Sequence, residues 1–430
     1  MTTGPRTEVA TPLGAGLDDR LPDVLALYRD LHAHPELAFA EHRTATLLAE
    51  RLRAAGLEVT TGVGGTGVVG VLRNGPGPTV LLRADMDALP VAEVDTVAHR
   101  STDTAVDADG VTVPVMHACG HDTHMAALVG ALECLAADRA AWSGTVVAVM
   151  QPAEEVGGGS RAMLADGFLE RFGPIDVALG QHVTSAPAGH VYARGGVFMA
   201  AADSLRVTVL GRGGHGSTPQ VTVDPVVVAA AIVLRLQTIV AREVAPADSA
   251  VVTVGSLHAG NKENVIPDRA ELKINIRTFD PEVRTRVLAA VERIVRAEAA
   301  AAGAPQEPVI APLTDFPLLV NDVDATERVR TAFAASFGEA AVHEAARRSG
   351  SEDFGCFGEA AGVPSVFWNF GGLDPERFGD DVEHPEAAVA AGRAPGMHSP
   401  HFVPTGPEQV LRRAVEAVLV AAGCWLAPTG

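Results

Sequence analysis

The sequence predicts an α/β fold: a sheet domain with helices on both faces, interrupted by a smaller inserted α+β domain. Apolar runs of strand length alternate with helical patterns near both ends of the chain. Between them lies a segment in which strands and helices follow a different order. With 430 residues, the chain is long enough for two or three domains.

The strand signals of the sheet domain are short and continuously apolar. The predicted strands are residues 80–84, 145–150, 176–179 and 365–370. Such strands, separated by helices like the one predicted at 123–137, are typical of a buried and mainly parallel sheet. Two further helices are predicted at 21–31 and 41–55, the second ended by Gly56.

The inserted segment, residues 202–311, shows the order βαββαβ. Its predicted elements are strands at 205–210, 250–257, 270–278 and near Val309, and helices at 225–242 and 281–300. Asp224-Pro225 and Asp280-Pro281 each supply an N-cap and a first-turn proline for a helix. The order matches the split βαβ, ferredoxin-like unit. We therefore predict an inserted domain at 202–311 within a discontinuous domain of residues 1–201 and 312–430.

The charge balance restricts the partners. The chain has 33 Lys+Arg and 53 Asp+Glu, which gives a formal net charge of −20. Nucleic acid and anionic membranes both require a basic face, so we expect neither as a partner. The richest apolar stretch, from Val226, is interrupted by Arg235, so no membrane span is predicted.

A cytoplasmic location is expected. The first sixteen residues contain Gly4, Pro5, Pro12 and Gly14 and lack the apolar core of a secretory signal, so they are interpreted as an irregular lead-in. The four cysteines, at 119, 134, 356 and 424, are too few and too dispersed for a disulfide framework.

Polar side chains follow the predicted strands, at the sheet edge where α/β proteins bind ligands. They are Asp85 and Asp87, Gln151 with Glu154 and Glu155, and His182, joined by HACGHD from His117 and by His398. One thiol, several imidazoles and several carboxylates fit a divalent ion such as Zn²⁺, Mn²⁺, Co²⁺ or Ni²⁺. Five good ligand residues exceed one tetrahedral site, which favours two metal ions.

Each of these residues also has an ordinary structural interpretation. His182 taken alone is a hydrogen-bonded histidine, Glu154-Glu155 is an acidic helix start, and Cys119 is a small buried side chain. Their convergence at strand ends favours the metal interpretation.

Other chemistries have little support. The chain lacks the G-x-S-x-G of a serine hydrolase and the G-x-x-x-x-G-K of a P-loop, and its two lysines both fall in the insert, which disfavours pyridoxal-phosphate chemistry. The G-x-G-x-x-G at 62–67 leads into an apolar strand and is interpreted as a turn.

Seven motifs together resemble those of the dinuclear-metal amidohydrolases and peptidases that include hippurate hydrolase, N-acyl-amino-acid hydrolases and auxin-conjugate (IAA-amino acid) hydrolases. They are LRADMDALP at 82–90, HACGHDTH at 117–124, QPAEE at 151–155, GGHGS at 213–217, NVIPD at 264–268, SEDF at 351–354 and MHSP at 397–400. The match runs in order from about Tyr28 to Leu419. The resemblance implies a metal-binding α/β domain, an inserted α+β domain that often mediates dimerisation or forms a lid, and hydrolysis of N-acyl amides.

The resemblance also assigns residues. The family's metal ligands match Cys119, His121, Glu155, His182 and His398, and its general base matches Glu154. A histidine on the insert that approaches the scissile carbonyl, from the neighbouring subunit in some relatives, matches His215. The chain departs from the family at Gln220, where relatives commonly carry His, which leaves the substrate contacts near the insert open.

We therefore predict a cytoplasmic, homodimeric amidohydrolase with two divalent ions. A metal-bound hydroxide is expected to attack the amide carbon of an N-acyl amino acid, with Glu154 as general base. Asp87 would orient a ligand histidine or form a turn, and Asn264 and Arg277 would bind the substrate carboxylate, unless Arg277 pairs with a surface acid. A metallo-exopeptidase or dipeptidase and a catalytically silent binding protein are the alternatives.

Overall fold

The computed structural model describes residues 13–95 and 97–426. The predicted irregular lead-in at 1–16 lies largely outside them. The helices are α1 Leu17–Ala33, α2 His42–Ala54, α3 His121–Ala137, α4 Gly159–Ala165, α5 Phe168–Phe172, α6 Pro225–Arg242, α7 Pro281–Ala301, α8 Val323–Phe337, α9 Gly355–Ala361, α10 Pro385–Ala390 and α11 Pro407–Leu426. The strands are β1 Glu58–Val63, β2 Gly67–Asn74, β3 Thr79–Asp85, β4 Thr104–Val106, β5 Thr112–Pro114, β6 Gly144–Gln151, β7 Val177–Pro187, β8 Val191–Ala193, β9 Gly196–Met199, β10 Ala201–Leu210, β11 Gly214–His215, β12 Ala250–Ala259, β13 Val265–Ile266, β14 Arg269–Thr278, β15 Val309–Phe316, β16 Leu319–Asn321, β17 Val342–Glu344 and β18 Ser365–Leu373.

The described chain separates into two compact units. The smaller consists of Met199–Leu319 and Arg347–Glu352, and the larger contains the remaining described residues. The predicted insert, residues 202–311, falls inside the first of these ranges. Its boundaries, and its role as a lid or dimerisation domain, stay predictions.

The larger unit is built on an eight-stranded mixed sheet with the order β1-β2-β6-β3-β7-β18-β8-β17. The four central strands, β6, β3, β7 and β18, are parallel to one another. On one side β1 and β2 continue the sheet as antiparallel strands, joined by the glycine-rich turn predicted at 62–67. The carboxyl ends of the central strands therefore lie at one edge.

Helices cover both faces of this sheet, as predicted. Leu82, Leu179 and Trp368 point to one face, where they belong to a large buried core that includes α1, α3 and α11. Phe367, the neighbour of Trp368, points to the other face and contacts Phe354 next to α9. Successive residues of a strand point to opposite faces of the sheet. Because helices bury the side chains on both faces, the strands are continuously apolar.

Strand β7 is longer than predicted. It continues from Val177 to Pro187, all of its residues are buried, and it stays paired with the parallel strand β18 up to Leu373↔Pro187. His182 therefore lies within the strand, opposite Asn369, rather than after its end. The polar residues at 181 and 182 interrupt the apolar pattern without ending the strand, because Trp368 Nε1 donates to Gln181 Oε1 and His182 Nδ1 donates to the carbonyl of Val183.

The smaller unit has a four-stranded antiparallel sheet in the order β12-β14-β10-β15. Helices α6 and α7 pack on it through a core that includes Val207, Ile232, Ile274 and Val291. The side chains of Asp224 and Asp280 cap the two helices, as the sequence predicts. Helix α6 is long and apolar enough to cross a membrane by length and composition alone, and it buries one face in this core.

Gly130 offers a test of the packing of α3 against α1 and α11. A Cβ atom at this position would lie 2.7 Å from Val24 Cγ2 and 3.1 Å from Val415 Cγ2. We expect Gly130→Leu to lower the free energy of unfolding by about 1–3 kcal/mol, because it overpacks the core. Urea unfolding measures the change. The control is Gly255→Leu, at an exposed strand position with no heavy atom within 4 Å; an equal loss in both variants would contradict the packing argument.

Candidate metal centre

The turn before α3 places Cys119 and His121 side by side. Gly120 between them has a φ of 77°, in the left-handed region. A Cβ atom there would lie 2.3 Å from Val183 Cγ1, so glycine is required both by conformation and by space. The helix begins at His121, two residues earlier than predicted, and its first turn therefore carries a predicted ligand.

The structure brings all five predicted ligands together in the larger unit. Cys119 Sγ lies 3.4 Å from His182 Nε2 and 3.1 Å from His398 Nε2. Glu155 Oε1 lies 3.6 Å from His398 Nε2 and 3.9 Å from His121 Nε2. These five side chains, from a turn, a helix, a loop, a strand and a late irregular segment, are called the metal centre below.

The hydrogen bonds leave the ligand atoms of this centre pointing inward. His121 Nδ1 donates to the carbonyl of Asp87 at 2.8 Å, and His182 Nδ1 donates to the carbonyl of Val183. His121 Nε2 and Glu155 Oε1 are buried and have no hydrogen-bond partner among the described residues. Buried polar atoms without a hydrogen-bond partner are costly, and a cation between these two would satisfy both. The donor set of sulfur, nitrogen and oxygen thus fits a borderline divalent metal ion.

The pKa values of the predicted ligands also favour a cation at the metal centre. Burial raises the pKa of the Cys119 thiol, and Glu155, Glu154 and Asp85 raise it further. Burial also raises the pKa of Glu155 to about 7. Burial opposes protonation of His121, but the nearby carboxylates of Asp85, Asp87 and Glu155 outweigh it and raise its pKa to about 10. Without a cation the centre therefore retains protons, which a divalent ion would displace.

Asp87 holds the segment that contains Glu154. Its Oδ1 accepts the backbone N–H of Glu154 at 3.0 Å, and its Oδ2 accepts the backbone N–H of Glu155 at 2.9 Å. From the sequence, Asp87 is predicted either to orient a ligand histidine or to form a turn. In the structure its carbonyl makes the shorter bond to His121, while its carboxylate Oδ1 lies 3.5 Å from the same Nδ1.

Asp85, predicted only as a polar residue at the sheet edge, and His124, named only within the HACGHDTH motif, lie next to the predicted ligands His121 and His182. Asp85 Oδ1 lies 2.6 Å from His124 Nδ1, and the Val183 N–H donates to His124 Nε2 at 2.7 Å. With both ring nitrogens engaged, His124 packs against the predicted ligand His182, whose ring centroid lies 4.4 Å away. The signal was present in HACGHDTH, because His121 and His124 are three residues apart and lie on one face of a helix.

Asp85 is held in turn by a buried ion pair. Arg83 Nη1 donates to Asp85 Oδ2 at 2.6 Å, and Arg83 Nε donates to Gln151 at 2.9 Å. Although burial opposes ionisation, Arg83, His121 and His124 hold the pKa of Asp85 well below its usual value. The ends of β3 and β6 are thereby fixed beneath the metal centre.

The other predicted site residues belong to the smaller unit. His215 is exposed, and its Nδ1 accepts the N–H of Ser217 at 3.1 Å, so a neutral His215 carries its proton on Nε2. Asn264 is exposed, and its carbonyl accepts the Gly216 N–H at 2.8 Å. Arg277 donates to Asn275, to Ser351 and to the carbonyl of Ser349. Among the residues the structure covers, Arg277 has no carboxylate partner, in contrast to the surface-acid alternative.

The comparisons with known proteins agree with one another. The model of peptidase family M20/M25/M40 matches residues 81–390. Thermostable carboxypeptidase 2 of Saccharolobus solfataricus is 37% identical over 354 residues, covering 81% of this chain and 85% of the relative. Hippurate hydrolase of Campylobacter jejuni is 37% identical over 354 residues, covering 79% and 88%. A solved Bacillus subtilis structure, described as a dinuclear metal binding peptidase from the M20 family, has a TM-score of 0.71 at 27% identity and covers 94% and 98%.

Metal binding to the metal-free protein is expected to release protons. Protons compete with the cation for His121 and Cys119 between about pH 7 and 10, and for Glu155 near and below pH 7, so affinity should rise with pH, by about tenfold per unit for each proton displaced. Calorimetric titration with Zn²⁺ in buffers of different ionisation enthalpy counts the protons released. Cys119→Ser is the comparison and should release fewer. Binding with no net proton release would contradict the proposed donor set.

Proposed function

Because the chain belongs to peptidase family M20/M25/M40 and is a metal-dependent hydrolase of linear amide bonds, we propose that it cleaves N-acyl amino acids of the hippurate or N-acetyl-amino-acid type. The observation that carries this proposal is the convergence of the five donors of the metal centre beside Glu154. The name of the hippurate hydrolase relative supports this substrate class.

Cys119, His121, Glu155, His182 and His398 are the residues that would hold the metal ions. Two ions of Mn²⁺, Zn²⁺, Co²⁺ or Ni²⁺ fit this number and mixture of donors. When bound, such ions polarise a carbonyl and lower the pKa of water. The protein's contribution is to fix the donors through Asp87, Val183 and the Asp85–His124 pair.

Glu154 is the proposed general base. Its carboxylate accepts a proton from the attacking water as the water oxygen bonds to the amide carbon. It then returns this proton to the amide nitrogen as the C–N bond breaks, which gives a carboxylic acid and an amine; transfer of the acid's proton to the amine then leaves a carboxylate and an ammonium group. Glu154 is buried and its backbone is anchored on Asp87, and its carboxylate is near enough to Cys119 to raise the pKa of that thiol.

His215 is the proposed donor to the developing oxyanion. Its Nδ1 is occupied by the Ser217 N–H, so the Nε2–H of the neutral ring is the group available for donation. Arg277 and Asn264 are proposed to bind the substrate carboxylate. The guanidinium of Arg277 is half-buried and bonded only to neutral partners among the described residues, which leaves its charge uncompensated.

A metallo-exopeptidase is the second candidate. The observation in its favour is the similarity to a thermostable carboxypeptidase, which equals the similarity to hippurate hydrolase. Both reactions would use the same donors and Glu154. A panel of N-acetyl amino acids, N-benzoyl amino acids and dipeptides distinguishes them by relative kcat/KM.

A homodimer and a cytoplasmic location stay proposals. The outer face of α6 supports pairing through the smaller unit, because Val227 and Leu234 are 65% and 73% exposed. The dispersed and unpaired cysteines fit a reducing compartment.

The general-base role is tested by Glu154→Gln. Turnover should fall by on the order of 10²–10⁴, while the metal content stays near that of the wild type, because Glu154 is not a proposed ligand. Steady-state hydrolysis of N-benzoyl and N-acetyl amino acids, together with elemental analysis, gives both quantities. Glu170→Gln, a matched change at an exposed position, is the control.

Removal of the metal by a chelator should abolish the activity of the wild-type enzyme, and added divalent metal should restore it. Full turnover in Glu154→Gln would refute the assignment.

The substrate-carboxylate site is tested by Arg277→Ala. We expect KM to rise about 10–100-fold for N-acyl amino acids, because a hydrogen-bonded charge is lost. For the corresponding neutral N-acyl amino amides KM should change little. Arg269→Ala, on the same strand β14 and exposed, is the control. Equal changes for the charged and neutral substrates would contradict carboxylate binding by Arg277.

A further inference from the structure

The segment between β6 and α4 contains an unusual backbone conformation. Among the described residues, the non-glycine positions with positive φ are Phe39 at 60°, Ala153 at 50° and His398 at 61°. A left-handed conformation is unfavourable for an alanine or a phenylalanine, and it persists only when surrounding contacts impose it. Ala153 directly precedes Glu154, so the contacts that impose its conformation also set the path of the proposed base. Residues 152–155 are called the base loop below.

Glu41 makes the contacts that fix this conformation. Its Oε1 accepts the N–H of Ala153 at 2.8 Å and the N–H of Phe39 at 3.0 Å. One carboxylate oxygen thus binds the amides of two of the left-handed residues. Its Oε2 accepts the hydroxyl of Thr66 at 2.5 Å. Glu41 is fully buried, and these three donors stabilise its charge in the interior.

The carboxylates of Glu41 and Asp87 together accept the backbone amides of the base loop. The three successive amides of Ala153, Glu154 and Glu155 donate to Glu41 Oε1, Asp87 Oδ1 and Asp87 Oδ2. The carbonyl of Ala153 accepts from Gly158 and Gly159 at 3.2 Å each. Neither helix nor sheet supplies acceptors for these amides, so two buried carboxylates distant in the sequence take that role.

We propose that Glu41 is a positioning residue for catalysis: it holds Ala153 in the left-handed conformation and thereby places Glu154 beside the metal centre. This inference rests on the proposed role of Glu154. Asp87 alone fixes the amides of residues 154 and 155 but leaves the chain direction entering residue 154 undetermined. Glu41 supplies this constraint, and Thr66 orients the Glu41 carboxylate.

The test compares three variants of the same segment. Glu41→Ala removes every acceptor, whereas Glu41→Gln keeps Oε1 for the two amides and can donate its own N–H to Thr66. Glu36→Ala is the matched control, because Glu36 also accepts two backbone amides, those of Arg43 and Thr44, at 3.0 and 2.8 Å. Those amides lie at the start of α2 and not in the base loop.

In Glu41→Ala, kcat should fall by about 10²-fold with little change in KM. The reason is that a misplaced base stabilises the transition state less, whereas it contributes little to substrate binding. Glu36→Ala should keep wild-type kcat even if its melting temperature falls as much as that of Glu41→Ala. Glu41→Gln should restore most of the lost kcat. Thr66→Val, a milder change, should lower kcat less than Glu41→Ala and serves in its place if that variant does not fold.

Hydrogen–deuterium exchange of the metal-free proteins gives a readout independent of activity. Peptides covering the base loop should exchange faster in Glu41→Ala or Thr66→Val than in the wild type, and Glu36→Ala should leave them unchanged.

Wild-type kcat and unchanged exchange in Glu41→Ala would overturn the inference, as would equal effects in Glu36→Ala. Glu41→Gln as inactive as Glu41→Ala, with wild-type exchange, would also overturn it, because the charge rather than the position would then matter. A Glu154→Gln variant that retains activity would instead refute the proposed function, and the exchange data would still decide whether Glu41 fixes the loop.

Discussion

The geometry of the metal centre depends on the buried side chain and carbonyl of Asp87. Its carboxylate binds two amides of the base loop, and its carbonyl orients His121 at the start of α3. One residue at the end of β3 thus joins three segments that are far apart in the sequence. Because a buried carboxylate must be fully hydrogen-bonded, any movement of one segment would leave a charge unsatisfied. The predicted ligand His121 and the proposed base are therefore fixed relative to each other by one group.

Much of the fold follows from local patterns in the sequence. The apolar runs at 80–84 and 145–150 predicted β3 and β6 to within one or two residues, because both faces of these strands are buried. The strand at 176–179 was predicted too short, since Gln181 and His182 interrupt its apolar run. Their hydrogen bonds to Trp368 and Val183 arise only in the folded chain, so hydrophobic pattern alone could not include them.

The site shows the same division. The five predicted ligands could be identified as candidates because a thiol, imidazoles and carboxylates are conspicuous at strand ends and in motifs that resemble those of the family. The supporting residues could not: His124 is paired with Asp85, 39 positions away, and Glu41 with Ala153, 112 positions away. Such pairs connect segments through tertiary structure, and nothing in the local sequence around Glu41 distinguishes it from a helix-start glutamate.

His398 is the most exposed of the five predicted ligands. Its side chain remains 53% exposed, whereas Cys119, His121 and His182 are buried in a turn, a helix and a strand. His398 follows an irregular segment, so its imidazole can swing outward without breaking a sheet or a helix. A cation held by these donors would therefore be reached by solvent from the side of His398.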